Sequence, residues 1–367
     1  MPDLPEDLTI ESHRGPYRVR FGEPFAGLAD GLSPTEHLLI DERVARLYEQ
    51  PLRRVLDSQS VLRIEATEEN KSLERFSSYI EHLIHRGVRR DHTLVVVGGG
   101  ILQDIGAFIA GILHRGIRWR YYPTTLLAQA DSCIGSKSSV NVAGVKNQLG
   151  TFTPPDEIFI STDLLETLSP LEIRSGIGEM IKVHVISGWE DTRRIAGDYP
   201  KLFQDQGVLK RAIHRSLEIK KEKIERDEFD RNERLIMNFG HSFGHAIESA
   251  TGYAVPHGIA VTLGMDLANE VSLRWGFIDQ ETYEELHALL APNYAGFEDC
   301  SIPEGPFFSA LARDKKNSGG DLSLILLRGP GKAFHGRYPQ DARFRSICTG
   351  FLERLRLAKG VPVCRSL

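Results

Sequence analysis

The pattern of apolar and polar positions changes character near residue 165. Before that point, short apolar runs alternate with helical spacing. HLLIDERVARLYE at 37–49 is a strand-like run that passes into a helical pattern, and VLRIEA at 61–66 is a second strand candidate. SLERFSSYIEHLIHRG at 72–87 has helical period, and TLVVVGGG at 93–100 is the clearest strand, β-branched and ended by glycines. Continuous apolar runs suit a parallel sheet covered on both faces, and the strand–helix–strand rhythm predicts a doubly wound α/β domain over 1–165. TIESHRGPYRVRFGE at 9–23 reads as a hairpin on the sheet edge.

Beyond that boundary, helical spacing recurs at 165–187, 208–228, 242–251, 259–276 and 280–291. No strand series interrupts it. Residues 166–367 are therefore expected to form an all-α domain, with a hairpin turn at RGPGKAFHG, 328–336.

Composition narrows the function classes. Lys and Arg number 45 against 50 Asp and Glu, for a net charge of −5. That balance leaves no electrostatic footprint for nucleic acid, although a local basic cleft for a small anion is compatible with it. The four cysteines, Cys133, Cys300, Cys348 and Cys364, are far apart and read as reduced thiols. The acidic start MPDLPEDLTI has no apolar signal segment. LVVVGGGILQDIGAFIAGIL at 94–113 is apolar enough to imitate a membrane span, but its glycines and Asp104 make strand, turn and buried helix the better reading. A soluble cytoplasmic protein is expected.

Three groups of residues are candidates for chemistry. Gly98-Gly99-Gly100 follow a strand and precede a helix, where backbone N–H groups can meet a phosphate; a tight βα turn needing small residues explains them equally well. His241 and His245 share one helix face in the Gly-rich segment NFGHSFGHAIE, with His257 twelve residues on. Glu179 and Lys182 in GIGEMIKVHVI permit a simple helical ion pair, yet Gly176 and Gly178 are poor helix formers that demand a packing reason. A carboxylate there can complete a Glu/His/His metal set with open positions. The third group is cationic: Arg115, Lys137, Lys146, Lys220, Arg234, Lys315 and Lys316, with Asn147 and Asn317. Such residues are ordinarily solvated surface, but converging they would suit a phosphate-bearing substrate.

Taken in order, GGGILQDIGAF, HRG, PTTLLAQADSCIGSK, KNQLGTF, GIGEMIK, NFGHSFGHAIE, HG at 257–258 and DKKN resemble the 3-dehydroquinate synthase-like sugar phosphate cyclases, from about Leu38 to Asn317. The resemblance implies an N-terminal NAD-binding domain, a C-terminal metal- and substrate-binding domain, and a homodimer in which Arg115 reaches the neighbouring subunit. It implies a divalent zinc or cobalt ion on Glu179, His241 and His257, with His245 facing substrate phosphate. Asp131, Lys137, Asn147, Lys182, Asn238 and Lys315 or Lys316 would contact the sugar phosphate. Asp41, Glu68 and Lys71 would hold adenosine, Gly99, Gly100, Thr124 and Thr125 the cofactor phosphates, and Asp104 and Lys146 the nicotinamide end. The implied chemistry is transient oxidation by NAD, β-elimination of phosphate, reduction, ring opening and aldol closure, with no net redox change: a carbon–oxygen lyase.

Lys220 and Arg234 stand where the family binds a carboxylate, which favours 3-deoxy-arabino-heptulosonate 7-phosphate. The alternatives are a sister cyclase acting on sedoheptulose 7-phosphate, an amino analogue or another sugar phosphate. A metal-dependent polyol or glycerol-1-phosphate dehydrogenase is a further one. The chain departs from the family pattern at Gln103, at Ser136 in GSKS, and at Ile259 in HGI.

Overall fold

The computed structural model describes residues 5–28, 30–297, 300–313, 317 and 320–357. Two compact units emerge. One contains the chain up to Ser169 together with Asp205–Asp230; the other contains Pro170–Gln204 and the chain from Arg231 onward.

The first unit is built on a seven-stranded sheet. Its strands are β1 (Leu8–Ile10), β2 (Tyr17–Phe21), β3 (Glu36–Asp41), β4 (Val61–Ile64), β5 (Thr93–Gly98), β6 (Arg118–Pro123) and a later strand Glu157–Ile160, here β9. A separate two-stranded ribbon, β7 (Val140–Val142) and β8 (Val145–Leu149), lies between β6 and β9 in sequence. The order is β1-β2-β9-β6-β5-β3-β4, parallel throughout except for the β1–β2 hairpin at the edge. The expected edge hairpin is thus present. Leu38, Leu39, Ile40 and Leu94 to Val97 are fully buried, as continuous apolar strands require. Helices α1 (Glu42–Leu47), α2 (Arg53–Leu56), α3 (Leu73–His85) and α4 (Gly100–Ile112) make the crossovers.

β3 leads toward β4 on one side, whereas β5 leads toward β6 on the other. The carboxyl ends of β3 and β5 therefore flank a topological switch point, where doubly wound sheets bind ligands. Asp41 ends β3, Gly98 ends β5, and Gly99 and Gly100 lead into α4.

The second unit contains α5 (Pro170–Ser187), α6 (Trp189–Asp198), α8 (His241–Ala250), α9 (His257–Arg274), α10 (Gln280–Tyr294), α11 (Glu304–Ala312) and α12 (Ala342–Leu357). The ribbon β10 (Asp321–Leu327) and β11 (Ala333–Pro339) is the hairpin that the turn at 328–336 suggested, so this unit is helical with one ribbon rather than all-α. α9 is its central post: every residue from Gly258 to Ser272 is buried, as expected of a helix covered all round.

Helix α7 (Gln206–Arg226) departs from the simple two-part division. It follows α6 in sequence and has the same helical pattern as its neighbours, yet it packs with the α/β unit. Nothing in a single helix's period says which layer it joins. No helix among the described residues is long and apolar enough to cross a membrane. Cys133, Cys300 and Cys348 are buried and form no disulfide among the described residues, and Cys364 lies outside them.

Candidate active site

In the first unit the glycine turn forms a cradle. Gly99 caps α4, and a Cβ there would lie 2.9 Å from Thr125 Cγ2. Thr124 N–H donates to the Gly98 carbonyl at 3.0 Å, which ties the two loops together. The first-turn N–H groups of α4 stand at this point with no side-chain cap. Such a bare backbone surface at the sheet's switch point fits a dinucleotide pyrophosphate. Asp41 caps α1 by accepting from Arg43 N–H at 2.9 Å; burial raises its carboxyl above the usual range.

Beside this cradle, Lys71 is buried and its Nζ lies 3.1 Å from both Asp104 Oδ2 and Asn147 Oδ1. Glu68 Oε2 is 3.7 Å from the same ammonium and accepts from Asn141 Nδ2 at 2.8 Å; Lys146 Nζ is 3.9 Å from Glu68 Oε1. Burial pushes the Asp104 carboxyl up to about 6 against the pull of Lys71. Asn147, expected at the substrate, sits in this group with Lys71.

Asp131 lies on a π-helical turn, Ala128–Ser132, a geometry frequent at functional sites. Gln103 fastens that turn to α4: its Nε2 donates to Ser132 O and its Oε1 accepts from Ser132 Oγ, both at 2.6 Å. That reciprocal pair gives Gln103 a structural role of its own. Lys220, on α7, donates to the Asp131 carbonyl and lies 2.7 Å from its Oδ1, and both side chains are nearly buried. The α7 placement is what lets these two meet. Lys137 pairs with Asp230, an acidic partner that sequence reasoning missed.

In the second unit, three helices converge on one point. Glu179 comes from α5, His241 from the start of α8 and His257 from the start of α9. Their ligand atoms lie within 4.8 Å of one another. His257 Nε2 is 3.3 Å and His241 Nε2 3.6 Å from Glu179 Oε1. Glycines make the convergence possible. A Cβ on Gly258 would stand 1.8 Å from the Ser175 carbonyl, and one on Gly178 would stand 2.2 Å from the Gly258 carbonyl, so α5 and α9 touch backbone to backbone. This is the packing reason the poor helix former Gly178 required.

The tautomers suit a cation. His241 Nδ1 faces the Phe239 carbonyl at 3.2 Å and His257 Nδ1 faces Glu248 Oε2 at 3.2 Å, which leaves both Nε2 atoms toward Glu179. Glu179 is 2% exposed, with Lys182 Nζ 2.6 Å from Oε2, yet neither carboxylate oxygen receives a hydrogen bond of proper geometry. Burial pushes this carboxyl up, but Lys182, His241 and His257 together hold it well below the usual range. Burial holds His241 well below the ordinary imidazole value. His257 resists the same effect because Glu179 and Glu248 raise it to about 10. An under-satisfied buried carboxylate facing two imidazole Nε2 atoms is a donor set that a divalent ion completes, displacing the proton from His257 as it binds.

A second grouping, His245, Glu248 and His257, shares one ring with the first. Glu248 is already committed to His257 Nδ1, so the Glu179 grouping is the better ion site. Glu248 was also missed, although it lies seven residues after His241 on the same helix face. His245 is exposed, its ring 5.4 Å from that of His241. Arg234 is buried, and Asn238 Nδ2 donates to the Leu235 carbonyl at 3.1 Å. Lys315 and Lys316 lie outside the described residues. Ile259 is fully buried in the core, and Ser136 is 1% exposed.

Comparison with known proteins agrees with this geometry. Residues 61–175 match the family model for the 3-dehydroquinate synthase N-terminal region, and 176–317 match the C-terminal one. The chain is 38% identical over 344 residues to a 3-dehydroquinate synthase of Cereibacter sphaeroides (strain KD131 / KCTC 12085), covering 89% of this chain and 93% of that protein. Among solved structures, 2-epi-5-epi-valiolone synthase from Streptomyces hygroscopicus subsp. jinggangensis 5008, with NAD+ and Zn2+ bound, is 25% identical with a TM-score of 0.78. That match covers 92% of this chain and 97% of that one. A 2-deoxy-scyllo-inosose synthase complexed with carbaglucose-6-phosphate, NAD+ and Co2+ has a TM-score of 0.82 at 22% identity, covering 94% and 100%, and shares the fold.

Proposed function

The chain belongs to the 3-dehydroquinate synthase family, and on that premise we propose that it is an NAD- and divalent-metal-dependent lyase that cyclises 3-deoxy-arabino-heptulosonate 7-phosphate with loss of phosphate. Gly99, Gly100, Thr124, Thr125, Asp41, Glu68, Lys71, Asp104 and Lys146 would hold the dinucleotide; Glu179, His241 and His257 would hold a zinc or cobalt ion. When bound, NAD would supply the reversible hydride chemistry and the ion would polarise the oxygen on the carbon that gives up the hydride.

The chain's own residues do the rest. Lys182, 3% exposed, keeps its ammonium against Glu179 in a nearly dry setting, where it stabilises negative charge on a substrate oxygen. Asn238 and His245 donate to the phosphate. The departing phosphate's own oxygen takes the proton released in β-elimination, so no carboxylate base is needed. Lys137 exchanges Asp230 for the sugar phosphate, and Asp131 orients a hydroxyl while held by Lys220.

The choice of a carboxylate-bearing sugar rests on one observation: Lys220 and Arg234 are 7% and 6% exposed. Both stand where the family binds a carboxylate; Lys220 already has Asp131 as its counter-charge, so a substrate carboxylate would join an existing ion pair there. Arg115 supports a homodimer. It stands exposed on a turn where His114, Arg115 and Gly116 all have positive φ (52°, 64° and 121°), a strained presentation that suits reaching into a neighbouring subunit.

The test incubates pure protein with 3-deoxy-arabino-heptulosonate 7-phosphate, catalytic NAD and zinc or cobalt, following phosphate and the carbocycle. Phosphate release without net NADH, abolished by chelator, is expected. Turnover of sedoheptulose 7-phosphate instead would keep the mechanism and overturn the substrate. Accumulation of NADH with a polyol would overturn both.

A further inference from the structure

The β10–β11 ribbon presents two unlike faces. Leu324 and Leu326 are buried on one, where Phe334 and Tyr338 meet Phe277 and Trp275 at ring distances of 5.2 and 4.5 Å. The other face carries a block of four: Ser323 pairs with Arg337, and Ile325 with His335. A cavity of about 210 Å³ separates this face from Leu235, Asn238 and Ser242. Asn238 and Ser242 stand either side of the turn that carries the ion ligand His241.

The donors left over are countable. Ser242 Oγ–H is spent on the Ser323 carbonyl at 3.2 Å, and one Asn238 N–H on the Leu235 carbonyl. Ser323 Oγ lies 2.8 Å from His335 Nε2; with the hydroxyl donating, the ring proton sits on Nδ1. Arg337 is exposed, has no hydrogen-bond or ion-pair partner among the described residues, and is one of the residues lining the cavity. What remains is an unpaired guanidinium, one amide N–H and, in that tautomer, one imidazole N–H, brought from β11 and from the turn before α8. Donors approaching from opposite walls suit a tetrahedral oxyanion better than a planar carboxylate. The volume admits a small anion and excludes a nucleotide.

We propose that this cavity is a phosphate subsite whose charge is supplied by Arg337, with Asn238 shared between it and the substrate site. It rests on the proposed function for Asn238's place at the substrate and for the source of the phosphate, which is either the sugar's monoester or the ion released from it.

The test is calorimetric titration of the NAD- and metal-loaded protein with inorganic phosphate. Wild type is expected to bind one more equivalent per chain than Arg337→Ala, and Arg337→Lys, which keeps the charge, to retain that equivalent at about tenfold weaker affinity. Thermal melts establish that the variants are folded. Steady-state kinetics then separate the sources. If Arg337→Ala raises the phosphate inhibition constant at unchanged KM, the subsite holds the released ion; if KM rises in the same ratio, it holds the monoester. Equal phosphate affinity and stoichiometry in wild type and Arg337→Ala overturns the proposal. Arg337-dependent phosphate binding without turnover of any sugar phosphate would sustain the subsite and sink the proposed reaction instead.

Discussion

His257 is held between two carboxylates: its Nε2 lies 3.3 Å from Glu179 Oε1 and its Nδ1 3.2 Å from Glu248 Oε2. The second contact fixes the ring's orientation and raises its basicity toward an ion on the first. Glu248→Ala is expected to weaken zinc affinity by about 10- to 100-fold, and Glu248→Gln, which still accepts a hydrogen bond, by less. Competition against a chromophoric chelator reads this without reference to activity. Equal affinity in all three proteins would show that Glu248 does not orient the ligand.

The α5–α9 crossing admits no side chain at position 258. Gly258→Ala would put a methyl group 1.8 Å from the Ser175 carbonyl, and its own N–H bond to Ser175 Oγ at 3.0 Å would break as the helices part. A loss of about 3 kcal/mol or more in denaturant unfolding is expected, since the obstacle is backbone. The same separation draws His257 from Glu179, so bound metal per chain should fall with it. A variant of native stability and full metal content would refute the account.

Much of this geometry is legible in the sequence because it follows from local rules. The run Leu94–Val97 ended by glycines can only be a buried strand and turn, and the spacing of His241 and His245 puts both on one helix face. Gly178 in an apolar helix announces a close crossing before its partner is known. What local rules do not carry is the layer a helix joins. α7 has the period of any amphipathic helix, and only its packing with the α/β unit brings Lys220 to Asp131. The partners Asp230, Glu248 and Asn141 were missed for a related reason. Acidic and amide side chains are common on surfaces, and only long-range packing marks these as contacts of Lys137, His257 and Glu68.

The Lys220–Asp131 pair makes an asymmetric stability prediction. Lys220→Met removes the cation and leaves Asp131, 8% exposed, without its ammonium. Breaking one side of a buried pair costs about 3–5 kcal/mol, whereas replacing both sides is close to neutral. Adding Asp131→Asn to Lys220→Met should therefore recover most of the lost stability while leaving activity on the heptulosonate phosphate low. Urea unfolding of the two single variants and the double variant measures the interaction. Strict additivity would mean the two side chains do not act as a pair.

A histidine relay at the amino end of the sheet sets the acid limit of the first unit. His37 is buried, with Nδ1 2.5 Å from Ser60 Oγ and Nε2 2.9 Å from His92 Nδ1. Burial, then repulsion from His92 and His82, lowers its pKa from 6.5 to about 4. His82 is lowered too, by burial and by Arg86 and His85. Because the folded protein refuses a proton that the unfolded chain accepts below pH 6.5, the stability is complete above that value and is lost as pH falls toward 4. Allowing for partial solvent screening, His37 accounts for about 2 kcal/mol of that loss. His37→Gln should flatten the dependence of unfolding free energy on pH between these limits, with little change in the slope above neutrality. An equally steep acid limb in the variant would place the titrating group elsewhere.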